Sequence, residues 1–159
     1  MNANRRPMTA HGKKLLEQEL QRLIQKDRPQ VIQAIEEARG HGDLSENADY
    51  DAAKEQQAHI EGRIARLKER LANAQIIDVS QIKSETITFG AYVVLSNEDS
   101  EKEVTYQIVG EDEADAKQGK LSIQAPLAKR LIGCKKGDVF ELQTPKGETG
   151  YEVLDFYFK

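Results

Sequence analysis

Apolar residues recur at helical spacing through the first half of the chain. After Thr9 they recur at one, three, four or seven positions, which keeps them on one side of a helix, and charged and polar residues lie between them: Leu16, Leu20, Leu23, Ile24, Val31, Ile32, Ile35 and Ala38. This period predicts an amphipathic helix, and the Thr9 hydroxyl can cap its first turn. Because Pro29 has no amide hydrogen and crowds the turn before it, we expect a bend or a local break between Lys26 and Gln30.

A second helical stretch has the spacing of a coiled-coil seam. Its apolar positions step by four, three, four and three residues: Ile60, Ile64, Leu67, Leu71 and Ala74. Ala52 and Ala53 continue the same side in small residues. If the chain reverses near Leu44, Val31 faces Ile60 and apolar residues face each other along both arms. The pattern therefore predicts an antiparallel helical hairpin on the order of 45 Å long.

The period changes to two in the second half of the chain. Apolar and polar residues alternate in three runs separated by turn residues: Val93 and Leu95, then Val104, Tyr106 and Ile108, then Tyr151 and Val153. One short helix is predicted at Pro126 to Ile132, with proline in its first turn and Gly133 just after its end. A small antiparallel sheet domain with one helix follows from this pattern.

Two segments lack a clear period. Residues 1–8 are polar and basic and are predicted to form a loose arm, and residues 73–83 are predicted to be a linker. The predicted fold class is therefore α+β, with residues 1–78 forming the helical hairpin and residues 79–159 forming the sheet domain.

Composition restricts the kinds of partner. The 159 residues carry a net charge of −4, with 31% charged and 6% aromatic residues, which is typical of a solvated rod. Residues 1–78 hold 13 basic and 13 acidic residues, whereas residues 79–159 hold 10 and 14. An acidic chain argues against a broad phosphate-binding face. Any contact with nucleic acid is predicted to be local or to depend on a partner.

Cysteine and hydropathy patterns indicate a cytoplasmic protein. Cys134 is the only cysteine, which excludes an internal disulfide and a cysteine-based zinc site. The adjacent Lys135 and Lys136 are expected to lower its pKa, but no nucleophile signature surrounds it, and we expect it to be inert. No apolar stretch reaches the roughly 18 residues of a spanning helix, so no membrane contact is expected.

The predicted hairpin tip is acidic. Asp43 and Glu46 lie three residues apart at the chain reversal, and the stretch from Gly40 to Ala53 contains no lysine or arginine. Carboxylate oxygens are ligands that Mg²⁺ accepts, but two side chains cannot complete its octahedral shell. The pair would therefore be half of a metal site, completed by a partner that already holds the ion and a phosphate.

The same spacing has a structural interpretation. Asp43 and Glu46 before a helix form a possible capping box, and Gly42 would then end the preceding helix. Such a cap does not require Asp49 and Asp51, which also lie at the tip. Both interpretations remain open from spacing alone.

Basic residues flank the acidic tip. Arg39 and Lys54 could hold a phosphate backbone beside the carboxylates, or they could belong to an ordinary solvated helix face. His41 could carry a proton or contact phosphate, although a histidine favoured by the helix dipole is the simpler interpretation. No phosphate-binding glycine loop or catalytic triad signature occurs, so an autonomous enzyme is not predicted.

The sequence resembles the bacterial Gre transcript cleavage factors, closest to the GreA type, over nearly its whole length. The matching residues in the first half are Met8-Thr9, Gly12, Glu19-Leu20, Arg28-Pro29, Ala34-Ile35, Glu37-Ala38-Arg39, His41-Gly42-Asp43-Leu44, Glu46-Asn47, Glu55-Gln56-Gln57, Glu61-Gly62-Arg63-Ile64 and Asn73-Ala74-Gln75. Those in the second half are Phe89-Gly90, Ile108-Val109-Gly110, Glu113-Ala114-Asp115, Leu131-Ile132-Gly133 and Gly137-Asp138.

The resemblance implies a monomer that acts on RNA polymerase. Its hairpin would enter the secondary channel, where Asp43 and Glu46 would hold Mg²⁺ jointly with the polymerase and stimulate cleavage of backtracked nascent RNA at its 3′ end. Arg39 and Lys54 would face that RNA. The protein would stimulate the polymerase's own activity and would not be an enzyme itself.

The resemblance also implies an FKBP-like C-terminal domain that docks on the channel rim. Ser122 and Pro126 match the rim-contacting loop, whereas Ala125 and Cys134 stand where serine and lysine are usual.

Two other functions fit the same architecture. A channel-occupying inhibitor would chelate the metal without promoting hydrolysis. A coiled-coil adaptor would use Asp43 only as a cap, so that Asp43→Asn would change stability by about 1 kcal/mol and nothing else.

Overall fold

The computed structural model describes residues 5–40, 42 and 47–159. The chain divides by packing into a helical unit, Lys13–Asn73, and a sheet unit comprising residues 5–12 and Ala74–Lys159. The helices are α1 (Ala10–Arg22), α2 (Arg28–Arg39), α3 (Ala48–Ala72) and α4 (Pro126–Leu131). The strands are β1 (Arg6–Thr9), β2 (Ala74–Ile77), β3 (Tyr92–Asn97), β4 (Glu103–Val109), β5 (Lys120–Ser122), β6 (Val139–Thr144) and β7 (Gly147–Tyr157). The predicted domain boundary at residue 78 stays a prediction.

The helical unit confirms the predicted hairpin. Helix α2 packs against α3, and the buried residues follow the predicted period: Leu16, Leu23, Val31, Ile35, Ala38, Ala53, Ile60, Ile64 and Leu67. Leu67 is completely buried, and burial of such a side chain contributes about 1.5–3 kcal/mol. Ala53 is buried whereas Ala52 is exposed. Near the tip, therefore, only Ala53 of this pair lies on the buried side of α3.

The break predicted at Pro29 takes the form of a π-helical turn at Leu23–Asp27. The Arg28 amide donates to the Leu23 carbonyl, five residues back. A turn widened in this way lets the chain continue through a proline that cannot donate to the carbonyl four residues before it. A cleft of about 560 Å³ lies beside this turn, with Leu23, Val31 and Ile60 among its lining residues.

Two arginine–carboxylate pairs join the arms of the hairpin on either side of the π-helical turn. Arg28 on α2 bonds both oxygens of Glu61 on α3, at 2.7 and 2.8 Å. Arg63 on α3 bonds both oxygens of Glu19 on α1, at 2.8 and 2.9 Å. Paired parallel bonds of this kind are geometrically specific. They therefore favour one register of the arms over others.

The Glu19 pair is expected to make hairpin stability depend on pH. Its hydrogen bonds with Arg63 lower the pKa of the Glu19 carboxyl. The contribution is complete above the unfolded-state pKa of glutamate, about 4.3, and is lost as pH falls through the lower folded-state pKa. In urea unfolding followed by helical circular dichroism, Glu19→Gln should lose up to about 1 kcal/mol at pH 7 and none below the folded-state pKa.

Glu17 on the same helix provides the control. It lies 3.7 Å from Lys13 and its side chain is 54% exposed, compared with 28% for Glu19. The difference between wild type and Glu17→Gln should stay small throughout the titration. A stability difference for Glu19→Gln that does not change with pH would contradict the assignment.

The sheet unit contains a five-stranded sheet of order β5-β4-β3-β7-β6. Its pairs are antiparallel except β4–β5, which is parallel. The predicted sheet was therefore wrong at that edge, because the chain between Gly110 and Gly119 crosses back before β5 begins. The predicted short helix is present as α4, and it buries Ala128 and Leu131 completely. These pack with the sheet core: Ile87, Ala91, Val93, Leu95, Ile108, Leu121, Phe140 and Val153.

The predicted loose arm and linker each contain a short strand, β1 and β2. β1 pairs in parallel with β2, with Arg6 opposite Ala74 and Thr9 opposite Ile77. Arg6 also lies 3.3 Å from Glu111 and 3.5 Å from Asp112, so the basic charge that suggested a solvated arm has acidic partners.

Thr9 ends β1 and caps α1, as predicted. Its hydroxyl accepts a hydrogen bond from the Gly12 amide (3.0 Å). The carboxylate of Glu113 accepts from both the Thr9 hydroxyl and the Thr9 amide, the latter at 2.8 Å. Thr9 is 3% exposed, so these bonds satisfy polar groups that would be costly to leave unpaired.

Candidate functional site

The candidate site lies where the two arms of the hairpin end. Helix α2 ends at Arg39 and is capped by Gly40, and α3 begins at Ala48. Gly42 has a φ of 92°, in the left-handed region that glycine adopts without strain. Its amide donates to the Arg39 carbonyl at 3.2 Å. The chain therefore leaves α2 through a glycine turn.

Asn47 caps α3. Its Oδ1 accepts a hydrogen bond from the Tyr50 amide at 3.1 Å, and its Nδ2 donates to the Ala38 carbonyl at 2.6 Å. The capping-box interpretation assigned the cap of this helix to Asp43, and the structure corrects it. Asparagine immediately before a helix that opens with acidic residues is a sequence signal for such a cap.

The predicted tip residues His41, Asp43 and Glu46 lie outside the described residues, so their assignment stays a prediction. Asp49 and Asp51 are described, and both lie exposed in the first turn of α3. Carboxylates at that position interact favourably with the helix dipole. These two acids therefore have a structural explanation and add nothing to the metal hypothesis.

Arg39 and Lys54 flank the end of the hairpin, and both are exposed. Lys54 Nζ donates to Gln57 Oε1 at 3.3 Å. Within the described part of the chain, no carboxylate pairs with either side chain. Exposed cations of this kind are what a role towards RNA requires.

The second predicted site lies in the sheet unit, where β5 leads into α4. Ser122 ends β5, and its Oγ accepts from the Gln124 amide at 3.1 Å. Pro126 occupies the first turn of α4 and is exposed. Ala125 is the N-cap residue and provides no side-chain bond. A serine at that position could supply one, so its replacement leaves the start of this helix without a side-chain cap.

Cys134 follows α4 and is half-buried. Its Sγ donates to the Arg130 carbonyl at 3.2 Å. Burial raises the pKa of the thiol, and Asp138 adds to this effect. The expectation that the neighbouring lysines lower that pKa was wrong, because desolvation and the Asp138 carboxylate raise it and the charge that opposes them is Arg130.

Two further observations concern metal ions and membranes. Among residues 5–40, 42 and 47–159, no group of three or more His, Cys, Asp or Glu side chains is arranged to hold a metal ion. In the same part of the chain, no helix combines the length and apolar character needed to cross a membrane.

Comparison with known proteins identifies the family. Residues 6–76 match the family model described as "Transcription elongation factor, N-terminal", and residues 82–158 match "Transcription elongation factor, GreA/GreB, C-term". The chain is 55% identical over 153 residues to transcription elongation factor GreA of Beijerinckia indica subsp. indica, covering 96% of this chain and 98% of the relative. It is also 55% identical over 147 residues to GreA of Phenylobacterium zucineum, covering 92% and 94%.

A solved structure of GreA factor homolog 1 (Gfh1) from Thermus thermophilus is 29% identical, with coverage of 96% of this chain and 99% of that one and a TM-score of 0.45. The two family models together span nearly the whole chain. This chain belongs to the GreA/GreB family of transcription elongation factors. It is therefore an elongation factor and not itself a catalyst, and membership implies an interaction with RNA polymerase.

Proposed function

We propose that the protein inserts its helical hairpin into the secondary channel of RNA polymerase and stimulates cleavage of backtracked nascent RNA. Asp43 and Glu46 supply carboxylates to the polymerase's reaction centre, and Arg39 and Lys54 face the RNA. The sheet unit contacts the channel rim through the surface at Ser122 and Pro126. Each helix of the hairpin is about 10 Å in diameter, so a pair of helices is thin enough for a narrow channel.

The observation that carries this proposal is the cap of α3. Since Asn47 supplies the cap, the strongest structural explanation for the Asp43 and Glu46 pair no longer applies. The two basic side chains on either side of the pair have no carboxylate partner among the described residues. Two carboxylates near two cations are suited to a metal ion and a phosphate supplied by a partner.

Mg²⁺ suits this carboxylate pair only as a shared ion. Two carboxylates cannot complete an octahedral shell, and the described residues contain no cluster that could supply the remaining ligands. When bound, Mg²⁺ neutralises the phosphate and makes the attacking water more acidic. The chain's own contribution is to bring Asp43 and Glu46 to that ion and to accept hydrogen bonds from the attacking water.

The test uses a stalled, backtracked elongation complex carrying 5′-labelled RNA. With Mg²⁺ and the full-length protein, the labelled RNA should shorten faster than with polymerase alone, and synthesis should resume from the new 3′ end. Without polymerase, the protein and the same RNA should give no cleavage.

Three other outcomes would contradict the proposal. Inhibited synthesis without cleavage would support a channel-occupying inhibitor. An unchanged cleavage rate at saturating protein would support a passive adaptor, and cutting of free RNA would indicate an autonomous nuclease.

A further inference from the structure

The side chain of Asn47 bonds to both arms of the hairpin. Its Oδ1 accepts from the Tyr50 amide in the first turn of α3, and its Nδ2 donates to the Ala38 carbonyl in the last turn of α2, at 2.6 Å. The amide four residues after Ala38 belongs to Gly42, and it donates to Arg39 instead. Asn47 therefore gives a carbonyl at the end of α2 a donor from the other arm of the hairpin.

The bond to Ala38 is not part of capping. A cap of α3 needs only the oxygen of Asn47, and serine or aspartate supplies such an oxygen about as well. The amide nitrogen makes a second bond, to a residue that is 3% exposed. Hydrogen bonds shielded from water are electrostatically stronger than exposed ones. Asparagine at this position has a separate acceptor atom for α3 and donor atom for α2.

We propose that Asn47 is a positioning residue, whose amide fixes the separation of the two helix ends that bound the segment carrying Asp43 and Glu46. This inference rests on the proposed function of that pair. Helix ends fray when their terminal groups lack partners, and a side chain bonded to both ends holds them at one separation. Groups that act on a reaction centre lose up to about 10²-fold in rate when displaced by about 1 Å.

Two substitutions separate the bridge from the cap. Asn47→Asp and Asn47→Ser both keep an oxygen for the Tyr50 amide. Aspartate has no donor for Ala38, and serine has only a hydroxyl on a shorter side chain in place of the amide nitrogen. At saturating protein, both variants should stimulate cleavage of backtracked RNA about tenfold less than wild type, since the connecting segment is less well positioned. The concentration for half-maximal stimulation should stay within about twofold, because the channel and rim contacts are unchanged.

Asn73 provides a matched control at the other end of α3. Its Nδ2 donates to the Glu69 carbonyl at 3.1 Å, within the same helix. Asn73→Ser removes the same kind of bond without affecting any link between the arms, so its cleavage rate should equal that of wild type. Hydrogen exchange gives a second readout that does not depend on cleavage. In both Asn47 variants, but not in Asn73→Ser, amides in the last turn of α2 should exchange faster.

Different results would overturn the role of Asn47 and the proposed function. A wild-type rate for Asn47→Ser would overturn the inference, and so would a loss confined to Asn47→Asp, which would indicate charge as the cause. A change in half-maximal concentration alone would assign Asn47 to binding. Failure of the wild-type protein to stimulate cleavage would instead overturn the proposed function, and unchanged hydrogen exchange in the variants would still exclude the bridge.

Discussion

Replacing Asp43 by asparagine is expected to reduce stimulated cleavage in backtracked complexes by roughly 10²-fold or more at saturating protein. The substitution keeps the size of the side chain and removes its negative charge. A shared metal ion contributes several kcal/mol of charge stabilisation, and each 1.36 kcal/mol corresponds to a factor of about ten in rate. The measurement is the rate of RNA shortening, with occupancy of the polymerase followed by competition against labelled wild-type protein.

Asp49→Asn is the matched control for this prediction. Asp49 belongs to the same acidic stretch, but it lies exposed in the first turn of α3 and has a structural explanation in the helix dipole. Its replacement should leave the cleavage rate close to wild type. Equal losses for the two variants would mean that the total charge of the stretch matters rather than the Asp43 carboxylate. If Asp43→Asn occupies the polymerase fully and still stimulates cleavage at the wild-type rate, the proposed role of the Asp43 carboxylate is wrong.

The hairpin was predictable because helical burial is a local property. Residues at a spacing of three and four lie on one face of a helix wherever that helix packs, so Val31, Ile60 and Leu67 could be assigned to the interior without knowing their partners. One error near the tip, the assignment of both Ala52 and Ala53 to the buried side, also follows from the local nature of the pattern. Ala52 and Ala53 are both small and apolar, so the pattern could not distinguish which of them faces α2.

The form of the break at Pro29 was not predictable. Proline predicts a disrupted turn, but whether the chain kinks or inserts a residue depends on the rest of the hairpin. Here the Glu19–Arg63 and Arg28–Glu61 pairs lie on either side of the turn. The π-helical turn confines the disruption caused by Pro29 to one turn. The salt bridges between the arms are kept on both sides of that turn.

The short strands were missed because their pairing is long-range. β1 has four residues and no alternating pattern, and its partner β2 follows the whole hairpin in sequence. Met8 is 1% exposed, yet a single methionine in a basic segment does not predict burial. The parallel β4–β5 pair was missed for the same reason, since alternation indicates a strand without specifying its neighbour.

The chemistry proposed for the site comes from the sequence, and its two carboxylates, Asp43 and Glu46, stay a prediction. The flanking cations Arg39 and Lys54 are exposed, as a basic helix face in the sequence suggests. The bridge from Asn47 to Ala38 could not be predicted, because it depends on how closely the two helix ends approach. Capping rules can identify Asn47 as the cap of α3, but they do not predict the bond from its amide nitrogen to Ala38.

The largest expected change in stability comes from Gly110→Ala. A Cβ at this position would collide with the carbonyl oxygen of Pro7 in β1, and backbone atoms cannot move aside as a side-chain end can. The Gly110 amide also donates to Glu113 at 3.3 Å, next to the carboxylate bonds to Thr9. We expect a loss of about 2–4 kcal/mol in the sheet unit, or a Tm lower by roughly 10–20 °C.

Gly62→Ala is the matched control, and it should have the opposite sign. Gly62 lies within α3, where an added Cβ would meet only the end of the Arg66 side chain, at 3.4 Å. Alanine at a helix interior is favoured over glycine by about 0.5–1 kcal/mol. Thermal unfolding followed by near-ultraviolet circular dichroism of the tyrosines, most of which lie in the sheet unit, should report the loss in Gly110→Ala. If that variant unfolds at the wild-type temperature, Pro7 does not lie against Gly110, and the close packing of β1 on this unit is refuted.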